Sequence, residues 1–411
     1  MQTFLQKEYI SEEKNTHMTH IEDQVLYGGV DGTRQAINGL RELRDMLGGQ
    51  HKGSVSVKWD GAPAIFAGTD PSDGKFFVAK KGIFNKNPKV YKTKADVDAD
   101  TSGDLNDKLN VALKLLPSLG IKGVIQGDFL FGPGDISRAR IAGESYITFH
   151  PNTIVYAIPA ESEEAKRVRQ ATIGVVWHTT YSGSSFDTMK ASYGVKVSAL
   201  RKNSKVWSQD AMLRDLTNTT MSSAETKSVN AHLANAGKIF RQISGSTLRE
   251  LGANKELGRL IEQYNNTFVR AGEQLPDSRK HAVRLQRWIE TRFKKEIDKR
   301  KSDAGKKKQK DAMDGMLSFF SKENLPSIVK MFDLQKEIVS AKLILIRKLD
   351  TLTNVNTFVK SKRGYQTTGE EGYVAIDKLG GNALKIVDRM EFSYNNFSPN
   401  ILKGWDTPSR N

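Results

Sequence analysis

The spacing of apolar positions changes twice along the chain and then changes back. In residues 32–47, Ile37, Leu40, Leu43 and Leu47 recur three or four residues apart. That stripe predicts an amphipathic helix, stopped at Gly48-Gly49. From about Val55 to Val195 the texture becomes short runs of Val, Ile, Phe and Tyr bounded by Gly, Pro, Asn and Asp, which predicts strands and turns. The runs are 54–58, 64–67, 76–79, 123–127, 146–150, 154–158 and 172–178. Between them, residues 104–116 carry Leu105, Leu109, Leu113 and Leu116 and predict a helix. From about 200 to 352, Leu, Ile and Phe fall at helical spacing throughout, which predicts a separate helical module. Strand texture returns at 373–376 and 384–387. The simplest architecture is an α+β domain interrupted by an all-helical insertion. It has an N-terminal helical segment (1–53), a first core part (54–199), the insertion (200–352) and a second core part (353–411). No repeat of 20 to 50 residues is visible.

Composition narrows the chemistry. The 411 residues allow two to three domains. Lys and Arg number 63 against 47 Asp and Glu, a net charge of +16 that favours a polyanionic partner. Residues 279–310 hold 14 Lys or Arg and four acids, so this stretch supplies +10 of the total. It reads either as a solvated helix face or as a nucleic-acid contact through Arg284, Arg287, Arg292, Lys294 and Lys295. Its part from 299 to 310 is so charged that it predicts a loop between helices. The absence of cysteine excludes disulfides, thiolate zinc sites and thiol nucleophiles. Seven scattered histidines show no HExxH spacing, so catalysis falls to Lys, Asp and Glu. The longest apolar stretch, around 339–346, is broken by Lys342 and is far too short to span a membrane. Residues 1–14 lack the apolar core of a signal peptide, and a cytoplasmic protein is expected.

The most informative tetrad is Lys58-Trp59-Asp60-Gly61, directly after the apolar alternation of 54–57. A lysine at the end of a buried strand loses basicity through desolvation, and its neutral amine becomes a nucleophile. Read alone, the tetrad is equally a strand end with an Asp-Gly turn. More follows in order. Lys80-Lys81-Gly82 sets two cations beside a glycine, suited to phosphates. Asp128 follows the apolar run 124–127, where a buried carboxylate needs a cation or a donor. Residues 173–178 end in Trp177 and His178, an aromatic suited to stacking a base. Glu370-Glu371-Gly372-Tyr373-Val374-Ala375 and then Lys385 complete the series.

This ordered set resembles the covalent nucleotidyltransferase superfamily of polynucleotide ligases and messenger-RNA capping enzymes, and within it phage RNA ligases. The resemblance implies a ligase-type domain of antiparallel sheets, with Lys58 taking the nucleoside monophosphate. Val57, Trp59, Asp60, Gly61, Lys81, Trp177 and Gly372 would line the nucleotide site, and Lys385 and Glu371 would act in catalysis. Asp128 and Glu371 would bind Mg²⁺. ATP is the implied donor, RNA or DNA the implied acceptor, and a host cytoplasm the implied setting. The likeness covers about residues 54–180 and 365–390.

Three departures accompany it. Pro63 stands where the family usually places a ribose-binding Arg. Val387 stands two residues beyond Lys385, where a second basic residue is usual, and Arg389 comes only four beyond. The 22 residues after Arg389 are too few for the oligonucleotide-binding barrel of DNA ligases. Alternatives to strand sealing therefore stay open: a non-catalytic nucleic-acid-binding protein on the same scaffold, or nucleotidyl transfer to an RNA cap or a protein.

Overall fold

The computed structural model describes residues 18–49, 54–213, 216, 221–353, 355–376 and 383–406. The chain opens with α1 (Gln24–Leu47) and then lays down β1 (Ser54–Val57), β2 (Ala64–Thr69) and β3 (Phe76–Ala79). Helices α2 (Lys94–Asp100) and α3 (Gly103–Leu115) follow. Next come β4 (Val124–Phe131), β5 (Ser137–Ile141), β6 (Glu144–Phe149), β7 (Ile154–Pro159), α4 (Glu163–Gln170), β8 (Ile173–Ser182), β9 (Lys190–Tyr193), β10 (Val206–Asp210) and β11 (Met212–Leu213). Six helices then run without a strand: α5 (Ser223–Phe240), α6 (Gly245–Ala253), α7 (Lys255–Ala271), α8 (Ser278–Asp298), α9 (Asp303–Ser318) and α10 (Leu325–Asp350). The chain returns to strands with β12 (Asn356–Ser361), β13 (Gly364–Thr367), β14 (Tyr373–Ile376) and β15 (Ala383–Ile386), then α11 (Arg389–Phe397) and β16 (Ile401–Leu402).

Among the described residues the fold is α+β with three sheets. One has the order β11-β1-β14-β15, the second β10-β8-β4-β2-β3 with β9 on β8, and the third β13-β12-β7-β6-β5 with β16 on β12. Every strand pair is antiparallel except β8 with β10. The first sheet joins strands from both ends of the chain, since β1 pairs with β14 in the register Val57↔Tyr373. One continuous apolar core joins α1, the helices of residues 223–350, β1, β14 and β15. A second core lies under the β4–β8 sheet, where Ile125, Phe129, Val175 and Trp177 meet Leu109 and Ala112 of α3. Among the described residues no helix is long and apolar enough to cross a membrane.

Two expectations are corrected. Residues 206–213 are strands, not the start of the helical region. Val206 and Trp207 are buried at the edge of the second sheet, paired with Ile173 and Gly174 of β8. The expected loop at 299–310 contains a helix instead. The Ser302 hydroxyl accepts from the Gly305 N–H and caps α9. Lysine is a good helix former, and the run holds no proline, so charge alone does not melt it. In α1 the chain kinks at Gly29 (φ +53°), where a Cβ would lie 2.3 Å from the Leu248 carbonyl oxygen. Glycine there lets α1 and α6 meet backbone to backbone.

Candidate active site

Lys58 is the first residue past β1. Its N–H donates to the Gly372 carbonyl at 2.8 Å, carrying the β1–β14 pairing one step further. Gly372 permits this approach. Its φ is +155°, and a Cβ there would lie 2.5 Å from Val387 Cγ2 and 2.9 Å from the Ile386 carbonyl oxygen. The Lys58 ammonium forms an ion pair with Glu371 Oε1. Strand alternation puts Lys58 on the face of Ser56, and Ser56 aligns through Val374 with Lys385.

The turn after Lys58 is held by Asp60, a buried carboxylate. Its Oδ1 accepts from Asn152 Nδ2 at 2.7 Å, and its Oδ2 accepts from the N–H groups of Thr153 and Ile154 at 2.7 and 2.8 Å. The N–H of Asp60 donates to the Tyr156 hydroxyl at 2.6 Å. Asp60 is thus a structural anion joining the first sheet to β7. Gly61 then lies flat on β4, since a Cβ there would be 2.6 Å from Asp128 Cβ.

That contact brings Asp128 to Lys58. Alternation on β4 sends Phe129 into the core under the sheet and leaves Asp128 on the face toward Lys58. Burial pushes the Asp128 carboxyl up to about 7, with Lys58 opposing and Asp60 reinforcing the shift. Burial likewise pushes Glu371 up to about 7 against the pull of Lys58. Burial, and then Lys58, hold the Lys385 ammonium below its ordinary value. His178 Nε2 stands 3.7 Å from Asp128 Oδ2, too far for a hydrogen bond. Burial, and then Lys58, hold its imidazole down at about 4, so it faces Asp128 uncharged at neutral pH. Exposed Lys81 is a further cation acting on Asp128.

The fold therefore brings together Lys58, Asp60, Gly61, Asp128, Glu371, Gly372 and Lys385. It places other expected residues elsewhere. Trp177 is fully buried in the core behind the sheet and donates from Nε1 to Ser208 Oγ at 3.3 Å, so its ring is no platform for a base. Trp59 is packed 4.7 Å from the Tyr156 ring, and Val57 is buried. Both shape the core rather than line an open pocket. Arg284, Arg287, Arg292, Lys294 and Lys295 are exposed on α8.

Arg389 is not free to serve as a second phosphate cation. It pairs with Asp23 at 2.7 Å and with Glu22 at 3.6 Å, and it donates to Asn266 of α7. Glu22 in turn receives buried Lys342 at 2.9 Å on both oxygens. Glu370 is a further acid that sequence reasoning passed over. Among the described residues, neither of its buried oxygens has a hydrogen-bond partner. Burial, then Asp350 and Asp60, push its carboxyl well above the usual range. The Glu-Glu doublet was its only signal.

Among the described residues no group of three or more His, Cys, Asp or Glu is arranged to hold a metal. Asp128 and Glu371 nevertheless suit Mg²⁺, a hard cation that takes one or two carboxylates and draws its remaining oxygens from water and substrate phosphates. Burial raises the proton affinity of both carboxyls, a cost that a bound cation would offset.

Comparison with curated proteins and with solved structures gave no match. A family model does match, over residues 15–401, and its description is a family of unknown function, DUF6267. That match spans nearly the whole chain, and the protein belongs to the DUF6267 family.

Proposed function

We propose that this protein is an ATP-dependent polynucleotide ligase working through a lysyl-adenylate on Lys58, on a ligase-type domain interrupted by the helices of residues 223–350. The observation that carries the reading is the meeting of Lys58, Asp128, Glu371 and Lys385 at the junction of two sheets. Lys58 acts on the charge state of the other three, Asp128 acts on Glu371, and Glu371 acts on Lys385. Two carboxyls raised to about 7 beside a lysine held below its ordinary value fit a reaction site, where burial and charged neighbours perturb proton affinities.

The chemistry follows from these positions. The Lys58 ammonium gives its proton to Glu371, already in contact with it and with a proton affinity near neutrality. The free amine attacks the α-phosphorus of ATP, a P–N bond forms, and the P–O bond to pyrophosphate breaks. Lys385 offsets charge developing on the phosphate oxygens. Mg²⁺ held by Asp128 would supply further neutralisation of those oxygens, and Glu371 would add a ligand to it only while ionised, outside the step in which it holds the Lys58 proton. The adenylate then passes to a 5′-phosphate, restoring the Lys58 amine. A 3′-hydroxyl displaces AMP and closes the strand.

The helices α8 and α9 supply the grip on nucleic acid. All 14 Lys and Arg of residues 279–310 are exposed, and among the described residues only Lys294 and Lys299 have an acidic partner, Glu290 and Glu296. Unpaired cations on a helical hairpin suit a phosphate backbone. A second reading is favoured by Pro63 at the usual ribose-Arg position: the same scaffold binding nucleic acid without catalysis. Incubation with α-labelled ATP, GTP or NAD and Mg²⁺, followed by denaturing electrophoresis, separates the two. A covalent label supports the ligase, and none under any donor supports the binding protein.

A further inference from the structure

Among the described residues four large apolar side chains are exposed: Tyr193, Tyr394, Phe397 and Trp405. Three of them fall within twelve residues near the end of the chain, and all three are aromatic. Tyr394 and Phe397, 49% and 63% exposed, stand three apart on the outward face of α11. Trp405, 68% exposed, follows β16. The opposite face of α11 presents Phe392, Asn395 and Asn396 to a small cavity that Asp60, Glu370 and Glu371 also line. The outward rings thus lie about one helix diameter, ~10 Å, from the Glu371 loop.

The surroundings are basic. The Arg270 guanidinium lies over the Phe397 ring, 5.7 Å from its centroid. β16 pairs with β12 in the register Ser361↔Ile401, and Lys362 and Arg363 form the turn from β12 to β13 at that end of the pairing. Both are exposed. Aliphatic side chains would suit a protein helix. Aromatic rings interleaved with cations suit unpaired bases, which stack on the rings while the phosphates meet Lys and Arg.

We infer that Tyr394, Phe397 and Trp405 form a stacking platform for the unpaired bases of a single-stranded polynucleotide, with Arg270, Lys362 and Arg363 meeting its phosphates. That the strand end is there to be sealed rests on the function proposed above; the stacking does not. The test measures binding of twelve-nucleotide single-stranded RNA, single-stranded DNA and a blunt DNA duplex to the full chain. Wild type is compared with Tyr394→Ala/Phe397→Ala and Tyr394→Phe. The expected result is a loss of about tenfold or more in single-strand affinity for the double variant, less than twofold for Tyr394→Phe, and less than twofold for the duplex throughout. Whether RNA or DNA suffers the larger loss names the strand. Quenching of tryptophan fluorescence by the single strand, lost in Trp405→Phe, is expected as well. Unchanged single-strand affinity in the double variant overturns the platform, as does an equal loss for the duplex or wild type that binds no single strand. Far-UV circular dichroism checks that the variants are folded. Wild-type lysyl-adenylate formation, read without any oligonucleotide, decides the ligase reading separately.

Discussion

The Lys58 ammonium and the Glu371 carboxylate are in direct contact, although 312 residues separate them along the chain. The pair exists because the Lys58 N–H and the Gly372 carbonyl close the β1–β14 ladder immediately beside it. Glu371 is thus both the partner that holds Lys58 at rest and the group placed to take its proton. Glu371→Gln keeps the shape and removes the acceptor. Its rate of lysyl-adenylate formation is expected to fall by about 10² or more, the usual worth of a positioned base. Single-turnover labelling at pH 7 checks this, and a loss under threefold would contradict the role.

Asp128 carries a cost in stability. Its carboxyl is raised to about 7 when folded, against about 3.9 when unfolded. A raised acid contributes stability below its unfolded value, and that contribution is lost as pH rises toward 7. Asp128→Asn is therefore expected to be more stable than wild type, by a margin that opens between about pH 4 and 7 and then stays level, on the order of 4 kcal/mol. Its adenylation is expected to fall at least tenfold. Urea unfolding at pH 5, 6, 7 and 8 reads the first effect, and labelling reads the second.

Asp60 is expected to behave in the opposite way. Its carboxylate accepts from three donors, two of them backbone N–H groups. Asp60→Ala leaves them unmatched at a cost of about 3 kcal/mol or more. Chemical denaturation at pH 7 should show the loss whether or not ATP is present.

The buried pair of Glu22 and Lys342, 5% and 1% exposed, ties the N-terminal segment to α10. Burial pushes the Glu22 carboxyl up, but Lys342 and then Arg389 more than offset this and hold it down at about 2. A depressed acid stabilises above its unfolded value and loses that contribution as pH falls from about 4.3 toward 2. Lys342→Met alone leaves the buried Glu22 carboxylate with only the longer contact to Arg389 and is expected to cost about 3 kcal/mol. Glu22→Gln/Lys342→Met is expected to recover part of that loss and to flatten the acid limb, as urea titrations from pH 3 to 7 would show.

What could be read in advance divides along physical lines. Lys58, Asp60, Glu371 and Lys385 stood out because each lies in or close beside a short apolar run, a local signal that the fold keeps. The direction of Trp177 was not readable. It depends on register, and β4 and β8 slip by a bulge between Gln126 and Gly127, so the face that each side chain takes is set by pairing across the sheet. The fate of Arg389 was equally hidden, because Glu22, Asp23 and Asn266 reach it from three distant segments. Lys342 gave a partial hint as the one charge inside an apolar run. Only the packed helices show that Glu22 is its partner.

The basic hairpin makes a claim about salt. Replacing Arg284, Arg287, Lys294 and Lys295 with Gln is expected to lower the slope of log affinity against log salt by about 3 for a single strand. Titrations between 50 and 200 mM salt read it directly, and an unchanged slope would place the phosphate contacts elsewhere.

The central claim is that Lys58 becomes covalently adenylated. Purified protein, freed of bound nucleotide, is incubated with α-labelled ATP and Mg²⁺ and resolved by denaturing electrophoresis beside Lys58→Ala. The account predicts an acid-labile label on wild type and none on the variant. A folded wild-type protein that takes no label from any nucleotide donor, or a Lys58→Ala variant that labels equally, would contradict it.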